Sequence, residues 1–261
     1  MITVLINTYN EEKNIAECIE SAKLLSDKVI VLDMESEDKT AQIAKAHDAV
    51  VFQISPASYV EPARELAIDK AKTDWVFILD ADERITKELA MEIKTKITKN
   101  SRSGGAGATL PTHYKVARKN IFGGKKWLKH GGWWPDYQIR VLNKKYFSAW
   151  PKEIHSTPTI QGQCGMLTNS LLHYFHGDFE TMVEKTIAFE SVEADLLYKA
   201  QKKVSTPTFF RKFFGELFRR LVRNFGFLDG PFGIIESVYQ AFSKTITYLF
   251  LYEKKEKSRA L

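Results

Sequence analysis

The chain of 261 residues is long enough for one full α/β domain with an appendage, and 44% hydrophobic and 27% charged residues are ordinary proportions for a folded protein. The formal net charge of +6 is a mild basic excess, much of it in the last third of the chain. The two cysteines, Cys18 and Cys164, form no CxxC pair, which argues against a zinc site or a disulfide framework and is typical of a reducing compartment.

Strands alternate with short helices over the first hundred residues. The pattern predicts strands at 2–6, 29–32, 50–52 and 75–79, and helices at 14–25, 36–47, 61–72 and 87–99. Such alternation implies right-handed parallel crossovers. We therefore expect an α/β fold with a Rossmann-like, mixed but mostly parallel sheet.

Neither a signal peptide nor a membrane-spanning helix is predicted. The first strand begins at residue 2, without the basic flank and long apolar core of a signal peptide. The longest apolar stretch, 234–252, is interrupted by Glu236, Gln240, Ser243 and Lys244. We expect a cytoplasmic protein, and peripheral attachment to the inner face of the cell membrane stays open.

Acidic residues follow the strand predicted at 75–79, whose apolar run is typical of a strand buried on both faces. Asp80, Asp82 and Glu83 then lie at the carboxyl end of that strand, where open α/β sheets hold ligands. In an extended chain Asp80 and Asp82 point the same way and could share one Mg²⁺ or Mn²⁺ ion. The alternative is a strand that simply ends in solvated acids.

The C-terminal part is predicted to be helical, and residues 209–225 form its most distinctive segment. Phenylalanine, leucine and valine side chains fall near one face, and five lysines and arginines occupy much of the remainder. Such a helix is typical of a membrane interface, although an ordinary helix that packs its aromatic side on the domain remains the alternative.

Several segments, taken in order, resemble the family 2 glycosyltransferases. They are 8–11 (TYNE), 31–40 (VLDMESEDKT), 79–83 (LDADE) and 130–140 (HGGWWPDYQIR), with 171–174 (LLHY) and 226–230 (GFLDG) further along the chain. The later segments are similar to those of the lipopolysaccharide-core β-glucosyltransferase subfamily. The resemblance implies a GT-A domain over 1–203 and a C-terminal helical, membrane-associating region over 204–261.

The same resemblance implies a UDP-sugar donor and a nucleotide-sugar site. The implied donor-binding residues are Thr8, Tyr9, Asn10, Glu11, Asp33, Arg64, Asp80, Trp133 and Trp134. Asp33 would accept a hydrogen bond from the uracil N–H while Tyr9 stacks on the ring. Two positions depart from the family pattern, since Glu35 stands where glycine is usual and Glu65 where asparagine is usual. A surface salt bridge is the alternative role for Arg64.

The resemblance also implies a divalent metal, Mg²⁺ or Mn²⁺, and inversion at the anomeric carbon. Asp82 would bind the metal, with His173 as a further ligand, and the ion would offset the charge of the departing diphosphate. Asp136 is the implied general base, and Arg140 would stabilise the leaving phosphates. Trp133 and Trp134 offer flat faces to sugar rings, the alternative being that they pack in the core.

The expected function is therefore transfer of a sugar, with glucose favoured, from a UDP-sugar to a lipid-linked or cell-surface glycan such as lipopolysaccharide core. An aspartate phosphatase is excluded because Arg84 replaces the required threonine or valine and no later Gly-Asp-x-x-x-Asp occurs. A non-catalytic basic adaptor for membrane or nucleic acid stays as the alternative, although no nucleic-acid motif is found. Lone histidines such as His130 and His176 are more often structural, although a metal or phosphate contact remains the alternative, and for His155 both roles stay equally open.

Overall fold

The computed structural model describes residues 1–55, 61–102, 110–151, 156–175 and 179–259. The chain divides into two compact units. The sheet unit comprises Met1–Lys119 and Asp136–His173, and the helical unit comprises Asn120–Pro135 and Tyr174–Leu261. The domain boundary expected at residue 203 stays a prediction.

Strands and helices alternate at the beginning of the chain, and helices dominate its end. The strands are β1 (Ile2–Thr8), β2 (Val29–Asp33), β3 (Val50–Gln53), β4 (Trp75–Asp80), β5 (Glu83–Arg84), β6 (His113–Phe122), β7 (Lys126–Trp127), β8 (Asp136–Asn143), β9 (Phe147–Ala149), β10 (Thr159–Ile160) and β11 (Cys164–His173). The helices are α1 (Ile15–Lys23), α2 (Thr40–Ala46), α3 (Glu61–Lys70), α4 (Lys87–Arg102), α5 (Phe179–Lys199), α6 (Thr206–Leu217) and α7 (Gly230–Arg259).

The main sheet has the strand order β3-β2-β1-β4-β8-β6-β11-β5. The first four strands are parallel, whereas β8 runs antiparallel to β4 and to β6. The mixed α/β sheet that the sequence predicts is thus confirmed. Because β8 is antiparallel, its first residue lies at the same edge as the last residues of β1, β2 and β4. We call this edge the carboxyl edge.

Strand β4 is the centre of the fold because its first five residues are buried. Phe77 and Leu79 pack into an apolar cluster with α1 and α4, while Val76 and Ile78 pack into a second cluster with α3. Successive side chains of a strand point to opposite faces, so this alternation places helices on both sides of the sheet. The prediction of a strand buried on both faces is confirmed.

The helical unit is built from α5, α6 and α7 around two small apolar clusters. One contains Phe122, Leu128, Phe175 and Met182, and the other contains Ala194, Tyr248 and Leu251. After α6 the chain forms a π-helical turn, Phe218–Arg223, and a 3-10 turn, Gly226–Asp229. Among the described helices, none has a stretch both apolar enough and long enough to cross a membrane.

The loop after β2 contains a residue in an unusual backbone conformation. Glu35 has a φ of 55°, in the left-handed region that glycine adopts without steric cost. This is the position where the family pattern usually has glycine. Glu35 therefore places a side chain in a conformation that disfavours it, at a cost of about 1–2 kcal/mol.

We predict that Glu35→Gly leaves the protein equally stable or raises its free energy of unfolding by up to about 1 kcal/mol, because the relief of strain exceeds the extra freedom of the unfolded chain. Urea denaturation measures the change. Glu37→Gly is the matched control, since Glu37 is also exposed and lies outside the left-handed region. It should destabilise the protein by about 0.5–1 kcal/mol, and equal losses in the two variants would contradict the assignment of strain to Glu35.

Candidate active site

The loops that follow β1 and β2 at the carboxyl edge are joined by hydrogen bonds. The backbone N–H of Asn10 donates to Ser36 Oγ (2.9 Å), and Glu37 N–H donates to Asn10 Oδ1 (2.9 Å). Glu11 N–H donates to Thr40 Oγ1 (2.8 Å). Thr8, the last residue of β1, is buried, whereas Tyr9 in the loop is 45% exposed and presents its ring to solvent. The TYNE segment is thus a fixed loop with one accessible aromatic ring.

Asp33, the last residue of β2, is fully buried. Its Oδ1 accepts a hydrogen bond from Ser36 Oγ (2.5 Å), and its Oδ2 accepts one from the backbone N–H of Ser36 (3.2 Å). A carboxylate has capacity for further hydrogen bonds, but this one has no exposed surface. Contact between Asp33 and a nucleobase therefore requires the surroundings of the carboxylate, which include Ser36, to move.

Asp80, the last residue of β4, is held between two arginines. Its Oδ1 accepts from Arg64 Nη2 (3.0 Å) and its Oδ2 from Arg140 Nη2 (2.5 Å). Burial alone would raise the pKa of Asp80, but Arg140 and Arg64 outweigh burial and hold the pKa well below its usual value. Arg64 is itself buried and lies over the Trp150 ring at 5.0 Å, so its ion pair is not a surface one.

Glu83 links this group to the next strands and was missing from the predicted site. The side chain is fully buried, and its Oε1 accepts from Arg140 Nη2 (2.5 Å) and Arg118 Nη1 (3.3 Å). Its Oε2 accepts from the backbone N–H of Asp80 (3.1 Å). The only sequence signal for Glu83 is its place in the acidic run after β4, and nothing in the sequence marks Arg118.

Asp136, the first residue of β8, lies in the same group. Arg118 donates to Asp136 Oδ2 from Nε (2.8 Å) and Nη2 (2.6 Å), and Gln138 Nε2 donates to Oδ1 (2.9 Å). The carboxylate remains 21% exposed. Arg118 therefore connects Asp136 to the buried Glu83, and both carboxylates are oriented by one guanidinium group.

Asp82 lies beyond the end of the strand, so the extended-chain premise for an ion shared by Asp80 and Asp82 does not hold, and the shared ion itself stays a prediction. Strand β4 ends at Asp80, and Ala81 and Asp82 form a turn. Asp80 faces the two arginines, whereas Asp82 Oδ2 lies 3.5 Å from His173 Nε2. His173 ends β11 and is paired in register with Glu83 of β5. The predicted metal ligands Asp82 and His173 are thus neighbours at the carboxyl edge.

Arg140 is more enclosed than its predicted role requires. Its side chain is only 4% exposed and donates to both Asp80 and Glu83. Burial alone would lower the pKa of Arg140, but these two carboxylates outweigh burial and raise the pKa above its usual value. In this arrangement the charge of Arg140 is balanced by protein carboxylates, and the side chain orders them.

Trp133 and Trp134 lie in the helical unit. Trp133 packs against Phe175 with the ring centroids 4.7 Å apart, and Arg220 lies over the Trp133 ring at 5.1 Å. Trp134 meets Trp127 edge to face at 5.3 Å. Both side chains are half-buried, so they pack against the helical unit without being core residues, and their role at a sugar ring stays a prediction.

Of the other histidines considered from the sequence, only His130 is among the described residues. His130 is bound to the buried Asp229, whose Oδ1 lies 2.9 Å from His130 Nδ1 and whose Oδ2 accepts the backbone N–H of His130 (2.7 Å). This pairing within the helical unit agrees with a structural role. His155 and His176 lie outside the described residues.

A metal ion at this edge would draw on few protein side chains. No group of three or more His, Cys, Asp or Glu side chains suited to a metal occurs among the residues that the structure describes. Two atoms that share an Mg²⁺ or Mn²⁺ ion, each about 2.1 Å from it, lie about 3 Å apart at right angles. The 3.5 Å between Asp82 and His173 is close to that value. The Asp82 carboxylate suits Mg²⁺ or Mn²⁺, which takes most of its other ligands from phosphate and water.

We predict that Asp80→Asn lowers the free energy of unfolding by about 3–5 kcal/mol at neutral pH, because the buried Arg64 and Arg140 then lose a negatively charged partner. Because the folded pKa of Asp80 is depressed, its contribution is complete above the unfolded value of about 3.9 and is lost as the pH falls below it. The difference between wild type and variant should therefore shrink below about pH 4 in urea titrations. Asp27→Asn, at an exposed carboxylate, is the control, and a pH-independent difference would contradict the assignment.

The chain is similar to known proteins over most of its length. The model of the family described as Glycosyl transferase family 2 matches residues 3–172. An uncharacterised glycosyltransferase of Rickettsia typhi is 29% identical over 269 residues, which cover 99% of this chain and 89% of the relative. The lipopolysaccharide core biosynthesis glycosyltransferase LpsC of Rhizobium meliloti is 23% identical, with coverage of 97% and 92%.

Solved structures of similar proteins are more distant. S. aureus TarS, in complex with UDP-GlcNAc, has a TM-score of 0.47 at 15% identity, covering 98% of this chain and 92% of that one. Glucosyl-3-phosphoglycerate synthase from Mycobacterium tuberculosis, in complex with Mn²⁺, UDP and glucosyl-3-phosphoglycerate, has a TM-score of 0.45 at 15% identity, covering 78% and 81%. The family match spans well over half of the chain, so this protein belongs to glycosyltransferase family 2.

Proposed function

We propose that this glycosyltransferase moves a sugar from a UDP-sugar to a glycan acceptor with inversion at the anomeric carbon. The observation that carries the proposal is the group of side chains at the carboxyl edge, where the Asp82–His173 pair and Asp136 both adjoin the buried Glu83. The Asp82–His173 pair suits a metal ion that binds a diphosphate, and Asp136 suits the role of proton acceptor. Family membership supports a nucleotide-sugar donor.

The donor nucleotide is proposed to bind at the loops after β1 and β2. The exposed ring of Tyr9 offers a stacking surface for uracil, and Asp33 offers a carboxylate once its surroundings, which include Ser36, have moved. Asp80 is proposed to contact the ribose, and Arg64 and Arg140 fix the Asp80 carboxylate for that contact. Arg64 and Arg140 thus contribute to donor binding through Asp80.

Asp82 and His173 are the proposed ligands of Mg²⁺ or Mn²⁺. Such an ion supplies positive charge to the diphosphate, which makes the nucleoside diphosphate a better leaving group. The chain's own contribution is to hold one carboxylate and one imidazole next to each other, His173 by its place in β11 and Asp82 by the turn after β4.

Asp136 is the proposed general base. Its carboxylate takes the proton from the acceptor hydroxyl as that oxygen bonds to the anomeric carbon, and the bond from this carbon to the diphosphate oxygen breaks. Arg118 and Gln138 fix the orientation of the carboxylate, and its exposed fraction leaves room for a hydroxyl. One displacement inverts the configuration and transfers one proton to Asp136.

The acceptor is proposed to be a lipid-linked or cell-surface glycan such as lipopolysaccharide core, with glucose as the transferred sugar. The relative LpsC carries lipopolysaccharide core biosynthesis in its name, which supports this class of acceptor. An enzyme with this acceptor would work in the cytoplasm at the inner face of the cell membrane. A screen of UDP-, GDP- and dTDP-sugars for hydrolysis with Mn²⁺ present tests the donor class directly, and hydrolysis of only the GDP- or dTDP-sugars would reject UDP.

We predict that Asp136→Asn lowers sugar transfer by about 10²–10⁴-fold while the Kd for UDP stays within about twofold, because only the proton acceptor is lost. Radiolabelled transfer assays and isothermal titration give the two values. The control is Asp27→Asn, an exposed carboxylate before β2, at the opposite end of the parallel strands from the site. Transfer at the wild-type rate in Asp136→Asn would remove this residue as the base.

We predict that Asp82→Ala weakens Mn²⁺-dependent UDP binding by about tenfold or more, because one of two protein ligands is removed. Isothermal titration with Mn²⁺ and with chelator separates the metal contribution from the rest. In the chelator, wild type and variant should bind UDP equally, and Asp27→Ala should behave as wild type in both conditions. If Mn²⁺ strengthens UDP binding by the same factor in Asp82→Ala and in wild type, Asp82 is not a ligand.

A further inference from the structure

Helix α6 has two apolar faces, and only one of them is packed. Thr208 is buried, and Phe209 meets Tyr252 of α7 edge to face with centroids 6.1 Å apart. The sequence pattern predicts one aromatic face, but the structure divides the phenylalanines between the packed side and the solvent. The second face of α6 is therefore an exposed apolar surface.

The second face is an exposed stripe along α6 and the π-helical turn. Its members recur every four residues and are 48–62% exposed: Phe210, Phe214, Phe218 and Val222. In an α-helix a spacing of four drifts by about 40° per step, and the wider π-helical turn after Phe218 offsets that drift. The stripe therefore stays on one side over about three turns. Phe225, Phe227 and Leu228 continue the exposed apolar surface along the chain.

Cations flank the stripe. Residues 206–225 contain five lysines and arginines and a single acid, Glu216. Glu216 accepts hydrogen bonds from Arg219 and Arg220, with Arg220 Nε at 2.7 Å. Arg211 and Arg223 are exposed, and neither forms an ion pair within the described part of the chain. Exposed aromatic side chains beside unpaired arginines suit an anionic surface with an apolar interior.

Helix α5 provides an internal comparison. It also exposes apolar side chains four residues apart, Val183 and Ile187 at 42% and 47%. Its 21 residues contain five acids and only two lysines. Apolar exposure alone would make both helices candidates for the same partner. Charge separates them, because an anionic bilayer attracts α6 and repels α5.

We propose that the stripe Phe210, Phe214, Phe218 and Val222 is a docking face that inserts into the interface of an anionic phospholipid bilayer. The phenylalanines enter the boundary between head groups and acyl chains while Arg211 and Arg223 contact lipid phosphates. This inference rests on the proposed function only for the purpose of membrane binding, which is to bring the enzyme to a lipid-linked acceptor. The binding itself needs neither donor nor acceptor.

The test is co-sedimentation of the full chain with vesicles of phosphatidylcholine containing phosphatidylglycerol, and with vesicles of phosphatidylcholine alone. Wild type should bind the anionic vesicles more tightly and lose binding in high salt.

Phe214→Ser/Phe218→Ser should weaken partitioning into the anionic vesicles by about tenfold or more. Arg211→Gln/Arg223→Gln should weaken it by about tenfold on anionic vesicles only. The matched control is Val183→Ser/Ile187→Ser, an exposed pair at the same spacing in the same unit, which should stay within about twofold of wild type.

Several results would overturn the docking face. They are failure of wild type to bind anionic vesicles, full binding by the α6 double variant, or an equal loss in the α5 control. Gel filtration tests a further outcome. If wild type is a dimer that does not bind vesicles, and the α6 double variant is a monomer, the stripe contacts a second copy of the chain. UDP titration of the same variants separates the two proposals, because lost vesicle binding with intact UDP binding refutes only the docking face.

Discussion

The site depends on the ion pairs around Glu83, a carboxylate with no exposed surface. Arg140 joins it to Asp80 and Arg118 joins it to Asp136, so residues of β4, β5, β6 and β8 are fixed to one point. Buried ion pairs seldom add net stability, because the cost of removing charges from water offsets their attraction. Here the ion pairs fix the geometry of the candidate site. Each of the two candidate functional carboxylates, Asp80 and Asp136, is bound by an arginine that also binds the buried Glu83.

Strand direction explains why these residues meet. Ligand sites in α/β sheets form at the carboxyl ends of parallel strands, which supplies Asp33, Asp80 and the turn that carries Asp82. The antiparallel β8 contributes its first residue to the same edge. The proposed general base, Asp136, therefore begins a strand that is antiparallel to β4, whereas the proposed ligand Asp82 follows the end of β4 in a turn. The change from parallel to antiparallel pairing between β4 and β8 brings the two residues to the same edge of the sheet.

Sequence patterns predicted the parallel half of the sheet well, because a short apolar run rich in β-branched and aromatic residues, such as that of β4, is typical of a buried strand. They also placed Asp33 and Asp80 at strand ends. They failed where strand register or turn geometry determines the position of a side chain. Asp82 lies in a turn, and Arg118 contacts Asp136 through the antiparallel pairing of β6 with β8. Helical periodicity likewise found the aromatic content of α6 but not its division between a packed and an exposed face, which depends on where α7 lies.

The central claim is that Asp82 and His173 hold the ion that binds the donor diphosphate, beside the arginine-held carboxylates. The most direct measurement is anomalous X-ray scattering from crystals of the protein grown with UDP and Mn²⁺. The account predicts a manganese peak bonded to Asp82 Oδ2 and His173 Nε2, with the diphosphate completing its shell. A peak bound elsewhere, or UDP bound at this edge with no manganese beside these two residues, would contradict it.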